Sequence, residues 1–498
     1  MQNRLFKNSA ILYIRMIIVM MINLFTVRYV FIGLGNEDYG IYNVIAGVVL
    51  MFNSVISVLS SSTQRFFSYS MGSKQNKLSD IFSVSMNIFF LLSLFILVIG
   101  ETIGLWFINN KLHIPVDRIL AANITYQFSL ISLVISLLQT PYLSAIISHE
   151  DMNIYAYVSI FDSLIKLVIS VILVQLIIDR LVFYSTALVL LSTISLLLYR
   201  TICKKKYIEC HISKVQNRSL YNSILSFSGW HLFSSFAGIG MIQINTILVN
   251  IFFGVIANAA RAVSLQIQQA LTSFAGGFIM AVRPAMIKAY ANQDYQYLNR
   301  LFNYCNKFVY YFMLIIILPL YIEMDNVLQI WLGTIDIQTI LFSRLIVIYT
   351  LIVAINNPIS IIMQATGKVK EYFLLVESFT LMCPILTYIF YKFDYNVEVT
   401  YYIMIATIVI AHIVRVHCLY KYYEYFELSK YLKSFLFPAI VVTFISYIFS
   451  SFMKNLYSDS MLIIIFSTAG FIIALSVIVG LSKSERIELF NKIINRKI

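Results

Sequence analysis

The chain has 498 residues, of which 60% are hydrophobic and 12% are charged, with a formal net charge of +13. A soluble chain carries about 25% charged residues and a disordered chain has low hydrophobicity, so the composition excludes both classes and predicts a polytopic membrane protein. Five Cys in so long a chain exclude a disulfide scaffold, and the excess of Lys and Arg is typical of cytoplasmic loops rather than of nucleic-acid binding.

Continuous apolar runs predict an all-α fold with fourteen membrane-spanning helices. Barrel strands alternate apolar and polar residues, whereas runs such as Leu181–Leu198 do not. A helix rises 1.5 Å per residue, so about 20 apolar residues cross the bilayer. The predicted spans are 9–32, 41–64, 81–108, 119–146, 152–177, 181–199, 220–252, 255–282, 301–322, 337–364, 371–391, 398–420, 432–453 and 460–481.

The distribution of basic residues predicts that both termini lie in the cytoplasm. With fourteen spans, 25 of the 36 Lys and Arg residues fall on the side of the termini and five fall on the opposite side. Such an asymmetry is typical of cytoplasmic loops. It requires an even number of spans, so twelve would satisfy it as well. The sequence therefore predicts a multi-pass protein of the bacterial cytoplasmic (inner) membrane.

Two distant segments are similar and predict an internal repeat. Arg65–Phe82 and Arg283–Phe302 each leave a span at an Arg, continue through a polar stretch and re-enter at Leu-x-x-[Ile/Leu]-Phe. At nearly the same offset, Gly35 ahead of span two matches Gly254 ahead of span eight. Repeated bundles enclose a central site in many transporters. The predicted divisions are an N-terminal six-helix lobe 1–202, a basic cytoplasmic linker 203–219, a C-terminal six-helix lobe 220–425, two extra helices 426–482 and a basic cytoplasmic tail 483–498.

Short motifs near spans two and eight carry a family resemblance. They are Leu34-Gly35 followed by Tyr39-Gly40-Ile41-Tyr42, then Gln64-Arg65-Phe66, and Arg283-Pro284-Ala285 with Lys288-Ala289-Tyr290. The chain resembles the Wzx-type polysaccharide (O-antigen) flippases of the multidrug/oligosaccharidyl-lipid/polysaccharide (MOP) exporter superfamily. The resemblance implies two six-helix lobes of the MATE-like, parallel-repeat type. It also implies a polyprenyl-pyrophosphate-linked oligosaccharide of lipopolysaccharide or other polysaccharide biosynthesis as substrate, with membrane lipids and polysaccharide-assembly proteins as partners.

Polar residues inside the spans are the candidate binding residues. A cation near the bilayer centre costs about 2.5–3.5 kcal/mol on insertion scales, so it persists where it meets water, a partner or a ligand. Arg15 in span one and Arg261 in span eight are predicted to face a central cavity and to bind phosphate, because guanidinium grips phosphate oxygens bidentately. The alternative is a structural Arg bonded to helix carbonyls. The other candidates, placed on the same helices or on span seven by helical spacing, are Asn8, Thr26, His231, Asn245, Asn258 and Gln268.

Two pairs of charges are candidates for neutralisation or ion coupling. Asp162 and Lys166 stand four residues apart in the order that favours an intrahelical ion pair, and proton or ion coupling is the alternative. Arg344 in span ten and Glu377 in span eleven are predicted to pair across helices. The sequence contains no nucleotide-binding, zinc-protease or serine-hydrolase motif, so we expect neither enzymatic activity nor a cofactor or metal.

Together these features predict a flippase that moves a lipid-linked oligosaccharide from the inner to the outer leaflet by alternating access. A lipid II flippase and a MATE-type, cation-coupled drug exporter are the alternatives. A drug exporter calls for unpaired intramembrane carboxylates, whereas the embedded charge of this chain is predominantly cationic. A membrane glycosyltransferase or polymerase is less favoured, because the longest outer loops, 109–118 and 323–336, are short.

Overall fold

The computed structural model describes residues 2–50, 53–73, 77–111, 115–213, 215, 217–332, 336–457, 460–483 and 485–486. Helix makes up 91% of the structure and the described residues form no strand, which confirms the all-α prediction. The helices are α1 Gln2–Leu50, α2 Asn53–Ser73, α3 Leu78–Ile99, α4 Leu105–Lys111, α5 Ile119–Ser148, α6 Met152–Gln175, α7 Arg180–Lys206, α8 Arg218–Ala291, α9 Tyr295–Ile322, α10 Met324–Leu332, α11 Ile337–Thr366, α12 Val369–Lys392, α13 Val399–Tyr422, α14 Leu428–Tyr431, α15 Phe437–Leu456 and α16 Met461–Leu475.

Thirteen stretches of the described residues are long and apolar enough to cross a membrane. Each of them coincides with one of the fourteen predicted spans. The remaining predicted span, 41–64, includes residues 51 and 52, which lie outside the described part of the chain. The protein is therefore a many-span integral membrane protein, as its composition predicts.

Two glycines turn continuous helices into pairs of spans. Gly35 in α1 has φ 74° and ψ 175°, and Gly254 in α8 has φ 79° and ψ −167°. Glycine adopts a positive φ readily, whereas a Cβ makes it costly. The sequence repeat places these two glycines at equivalent positions, and their nearly identical backbone angles confirm that match. The same one-residue turn thus follows the first span and the seventh.

The chain divides into two compact units, Met1–Leu232 and Phe233–Ile498, and their boundary lies inside α8. The two six-helix lobes predicted from the sequence, 1–202 and 220–425, have other limits than these units and stay a prediction. In the first unit α1 packs against α6, and α5 packs against α7. One apolar core of this unit contains Val30, Leu34, Ile45 and Leu173. Burying such side chains against neighbouring helices fixes which face of α1 turns inward.

An ion-pair network holds three helices of the first unit together. Arg118, directly before α5, donates from Nη2 to Asp38 at 2.6 Å and from Nη1 to Asp179 at 2.8 Å. Asp179 also caps α7, since its Oδ1 accepts a hydrogen bond from the backbone N–H of Val182 at 3.1 Å. Burial favours the neutral carboxyl, but the hydrogen bonds from Arg118 and Val182 outweigh it and hold the pKa of Asp179 below its usual range.

We expect Arg118→Gln to lower the Tm by about 1–3 °C at pH 7 and by less at pH 3. Because the pKa of Asp179 is lower in the folded protein, its stabilising effect is complete above its unfolded pKa, near 3.9. The effect is lost as the pH falls through the folded pKa. Thermal unfolding in detergent at the two pH values measures the difference, and an equal loss at both would contradict the expectation.

In the second unit the two C-terminal membrane helices belong to the core. Residues of α9, α15 and α16 form one buried apolar cluster that includes Leu314, Leu318, Val442 and Ile472. The hydroxyls of Tyr310 and Thr443 lie 2.6 Å apart and join α9 to α15. The added helices therefore share a packed interior with the rest of the unit.

Ion pairs reinforce that attachment where α9 ends. Lys454 of α15 lies 3.6 Å from a carboxylate oxygen of Glu323 and 3.6 Å from one of Asp325. Its ammonium group also donates to the carbonyl of Ile322 at 2.7 Å. The side chain of Glu323 is 0% exposed, and Lys454 places a cation beside this buried carboxylate.

Candidate functional site

Arg15 lies on α1, on the side that meets α6. Its Nε donates to the hydroxyl of Ser159 at 2.5 Å, and its guanidinium carbon lies 4.3 Å from the centre of the Tyr155 ring. The side chain is half-buried. Among the described residues no carboxylate lies within 4.0 Å of it, and no hydrogen bond occupies Nη1 or Nη2. Nη1 and Nη2 of Arg15 are thus available to donate hydrogen bonds to a ligand, and its positive charge has no carboxylate partner among the described residues.

The two residues predicted to share the face of Arg15 have internal partners instead. Asn8 is buried, and its Nδ2 donates to the carbonyl of Glu150 at 3.0 Å in the turn between α5 and α6. Thr26 is also buried and donates to the carbonyl of Ile22 in its own helix at 2.9 Å. Asn8 and Thr26 are therefore both buried, whereas the side chain of Arg15 is only half-buried.

His231 lies in the N-terminal part of α8, which belongs to the first unit. Its Nδ1 lies 3.2 Å from the hydroxyl of Ser61 on α2. One turn earlier Phe227 packs on Arg65, whose guanidinium carbon is 5.0 Å from the ring centre. Arg65 also lies over the rings of Phe66 and Tyr69, at 4.8 and 5.1 Å. Sequence reasoning treated Arg65 only as a motif residue, although the aromatic residues around it indicate cation–π packing.

Arg261 differs from the prediction, because it is 0% exposed inside the second unit. The turn at Gly254 folds α8 back on itself, so that Nε donates to Thr246 Oγ1 at 3.0 Å and Nη2 to the Ile242 carbonyl at 3.3 Å. The guanidinium carbon lies 5.6 Å from the ring centre of Tyr401 on α13. These contacts match the alternative of a structural Arg bonded to helix groups, and the binding of phosphate by Arg261 stays a prediction.

The remaining candidates on α8 are also mainly internal. Asn245 is 0% exposed, and its Nδ2 donates to Sγ of Cys383 on α12 at 3.4 Å. Its Oδ1 and that of Asn258 are buried without a hydrogen-bond partner. Gln268 is half-buried, and its backbone carbonyl accepts from Thr272 at 3.0 Å. The structure brings Asn245 and Arg261 into one region, through the adjacent residue Thr246.

Asp162 and Lys166 do not form the predicted close ion pair, although they lie within electrostatic reach of each other. Both residues lie on α6 within the described chain, yet no carboxylate–ammonium distance between them is 4.0 Å or less. Asp162 instead accepts a hydrogen bond from Ser195 of α7 at 2.7 Å. A hydroxyl from the neighbouring helix satisfies the carboxylate, so favourable spacing along one helix does not decide the partner.

The predicted pair of Arg344 and Glu377 is absent too. Arg344 bonds to Asp325 and to the carbonyl of Tyr321, whereas Glu377 is buried and accepts from Ser234 at 2.7 Å. The two helices that carry Arg344 and Glu377 are joined by a tight turn at Gly367, which makes them antiparallel. Counting 1.5 Å per residue back to that turn separates Arg344 and Glu377 by roughly 20 Å along the helices.

The residues that sequence reasoning missed are the partners of its candidates. Tyr155 and Ser159 hold Arg15, and Tyr401 with Ser264 packs beside Arg261, with their hydroxyls 2.6 Å apart. An aromatic and a hydroxyl one turn apart on α6 are the only sequence signal for the first pair. Within the described residues no group of three or more His, Cys, Asp or Glu side chains could hold a metal ion.

Comparison with known proteins gives likeness in structure rather than in sequence. No protein-family model matches the chain, and no curated protein matches it. A multidrug resistance MATE family transporter of the MOP superfamily, in an outward-facing conformation, superposes with a TM-score of 0.72 at 15% identity, covering 84% of this chain and 96% of that protein.

Two further solved structures superpose on the chain to a similar extent. A MATE protein in its bent conformation gives a TM-score of 0.74 at 15% identity, over 84% of this chain and 96% of its own. The Vibrio cholerae MATE transporter VcmN, in its bent form, gives 0.67 at 15% identity, over 85% and 98%. These neighbours are transporters, and identities this low establish the architecture alone. The chain has the fold of the MATE transporters of the MOP superfamily.

Proposed function

We propose that this protein is a flippase that carries polyprenyl-pyrophosphate-linked oligosaccharide units from the inner to the outer leaflet of the bacterial cytoplasmic membrane. The observation that carries the proposal is Arg15, a guanidinium within a membrane-spanning helix of a transporter fold. It has two unoccupied Nη atoms and no carboxylate within 4.0 Å in the described chain. A charge placed at such cost is retained where a ligand of opposite charge arrives.

The geometry at Arg15 suits a phosphate oxygen. The bond from Nε to Ser159 and the ring of Tyr155 restrict the guanidinium, which leaves the Nη edge to donate. Preorganised donors of this kind bind phosphate through short charge-assisted hydrogen bonds. The membrane potential, negative inside, favours outward movement of the pyrophosphate by about 2.3 kcal/mol per charge for each 100 mV.

Arg261 takes no part in the first contact with the headgroup in this proposal. It is fully buried, and its contacts to Thr246 and Tyr401 would have to break before it reached a headgroup. We further propose that both termini are cytoplasmic, as the basic residues indicate, and that the polyprenyl tail stays among membrane lipids. Other polysaccharide-assembly proteins would supply the unit and extend it.

Reconstitution tests the proposed substrate directly. Purified protein in liposomes is expected to move a fluorescent polyprenyl-pyrophosphate oligosaccharide across the bilayer, so that a membrane-impermeant quencher reaches the label. Protein-free liposomes provide the baseline. Movement of lipid II in preference to this substrate would assign the protein to the alternative flippase activity, and no lipid movement at all would contradict the proposal.

A cation-coupled drug exporter is the second candidate, and one observation favours it. Asp162 is an intramembrane carboxylate that has a hydroxyl partner, Ser195, and no cation within 4.0 Å among the described residues. A carboxylate in this state can exchange a proton or a metal cation. Cells that express the protein would then resist organic cations, and Asp162→Asn would abolish that resistance. We expect no such resistance.

Alternating access requires α8 to flex near the boundary of the two units, and Gly238 and Gly240 provide the flexibility in our proposal. A Cβ at either position would meet nothing within 4 Å, so neither glycine is needed for close packing. Gly238→Ala with Gly240→Ala is expected to raise stability by about 0.5–1 kcal/mol per site and to slow transport several-fold. The control is Gly470→Ala in α16, where a Cβ also meets nothing. Unchanged transport would contradict the expectation.

A further inference from the structure

Arg261 is a buried cation without a visible counter-charge. In the described part of the second unit no carboxylate lies within 4.0 Å of its guanidinium, and the side chain is 0% exposed. Nε and Nη2 have oxygen partners, but Nη1 is buried and has none. A charged donor withdrawn from water without a partner is strongly unfavourable.

Two other arginines of the chain, Arg118 and Arg344, have carboxylate partners. Arg118 bonds to two carboxylates and Arg344 to one, and both of these side chains are partly exposed. The groups around Arg261 are neutral, since Thr246 is a hydroxyl, Ile242 offers a carbonyl and Tyr401 is a phenol bonded to Ser264. Of the buried carboxylates described in the same unit, Glu377 accepts from Ser234 and Glu323 pairs with Lys454. The counter-charge that Arg261 requires is thus not a side chain of the described protein.

We propose that the second unit holds a small inorganic anion, such as chloride, on Nη1 of Arg261, beside the turn that folds α8 back on itself. An anion there would neutralise the guanidinium and accept the hydrogen bond that Nη1 lacks. The buried Oδ1 of Asn245, which also has no partner, suits a water that hydrates the anion. Because the side chain is 0% exposed, the anion is proposed as a resident ion of the folded unit, so the inference does not depend on the transported lipid.

Thermal unfolding of the purified protein against halide concentration tests the site. At constant ionic strength, replacing gluconate with chloride or bromide is expected to raise the Tm saturably by about 2–5 °C. The dependence should vanish in Arg261→Gln. It should remain in Arg344→Gln, whose arginine lies in the same unit and bonds to Asp325. A rise of equal size in wild type and Arg261→Gln would identify a general salt effect and overturn the proposal.

Inorganic pyrophosphate distinguishes a small inorganic anion from a substrate headgroup as the ligand of Arg261. It should not produce the Arg261-dependent stabilisation, because the side chain of Arg261 is 0% exposed and so large an anion would have to displace the residues that enclose it. Stabilisation by pyrophosphate but not by halide would overturn the proposal and make Arg261 a headgroup ligand. If Arg261→Gln does not fold, anomalous diffraction from crystals of the wild-type protein soaked in bromide tests whether an anion binds at Arg261. An anomalous peak at hydrogen-bond distance from Nη1 is expected, and bromide bound only elsewhere would overturn the inference.

Discussion

Replacing Arg15 with Gln is expected to lower export of surface polysaccharide at least about tenfold while leaving the amount of protein in the membrane unchanged. A hydrogen bond between a charged donor and a phosphate contributes about 1.5–3 kcal/mol, and 1.4 kcal/mol corresponds to a factor of ten. Gln keeps a polar side chain near Ser159 but removes the charge and the pair of Nη donors. The measurement is surface polysaccharide in cells that lack their own flippase and express the variant.

Arg28 provides the matched control for this experiment. It lies on the same helix as Arg15, carries the same charge and is exposed. Arg28→Gln is therefore expected to leave export near the wild-type level. Equal losses in the two variants would show that the effect is not specific to Arg15 and would contradict its proposed role. Normal export by Arg15→Gln at normal protein levels would remove Arg15 from the proposed mechanism.

Replacing Lys454 with Met is expected to destabilise the protein by about 3 kcal/mol, the low end of the cost of leaving a buried charge without its partner, because Lys454 itself is one-third exposed. The variant strands the carboxylate of Glu323, which is 0% exposed. The hydrogen bond from Asn326 to Glu323 at 2.6 Å remains, but it does not neutralise the charge. Unfolding in mixed detergent micelles with increasing SDS measures the loss.

A second substitution distinguishes charge from packing. Glu323→Gln added to Lys454→Met removes the stranded charge, so the double variant is expected to recover much of the lost stability. Lys430→Met is the surface control, since Lys430 and Glu427 form an exposed pair at 3.7 Å. It should cost less than about 1 kcal/mol. A double variant as unstable as Lys454→Met alone would contradict the electrostatic explanation.

The positions of the membrane helices could be predicted because the bilayer imposes a length on every apolar run. The match of Gly35 with Gly254 could be predicted as well, since a residue with positive φ favours glycine and the repeat supplies the partner position. Both the length of an apolar run and the need for glycine at a positive φ depend on residues that are close together in the sequence, so both can be read from it. The fold therefore followed from composition, spacing and one repeated pair of residues.

The candidate site was predicted less completely, because a side chain's exposure depends on neighbours far away in the sequence. Helical spacing indicated an inward face for Arg261, but not that Thr246 and Tyr401 would enclose it. The failed pairing of Arg344 with Glu377 had a recognisable signal. Gly367 makes their helices antiparallel, so counting residues from that turn shows that the two charges lie far apart.

The carboxylate buried where α9 ends ties the last membrane helices to the middle of the second unit. Glu323 is 0% exposed and pairs with Lys454 of α15. A protein that lost α15 would lose this cation together with side chains that pack on α9, such as Val442. Truncation before α15 is therefore expected to cost the unit an ion pair and part of its apolar core at once, so the last two helices cannot be treated as an independent appendage.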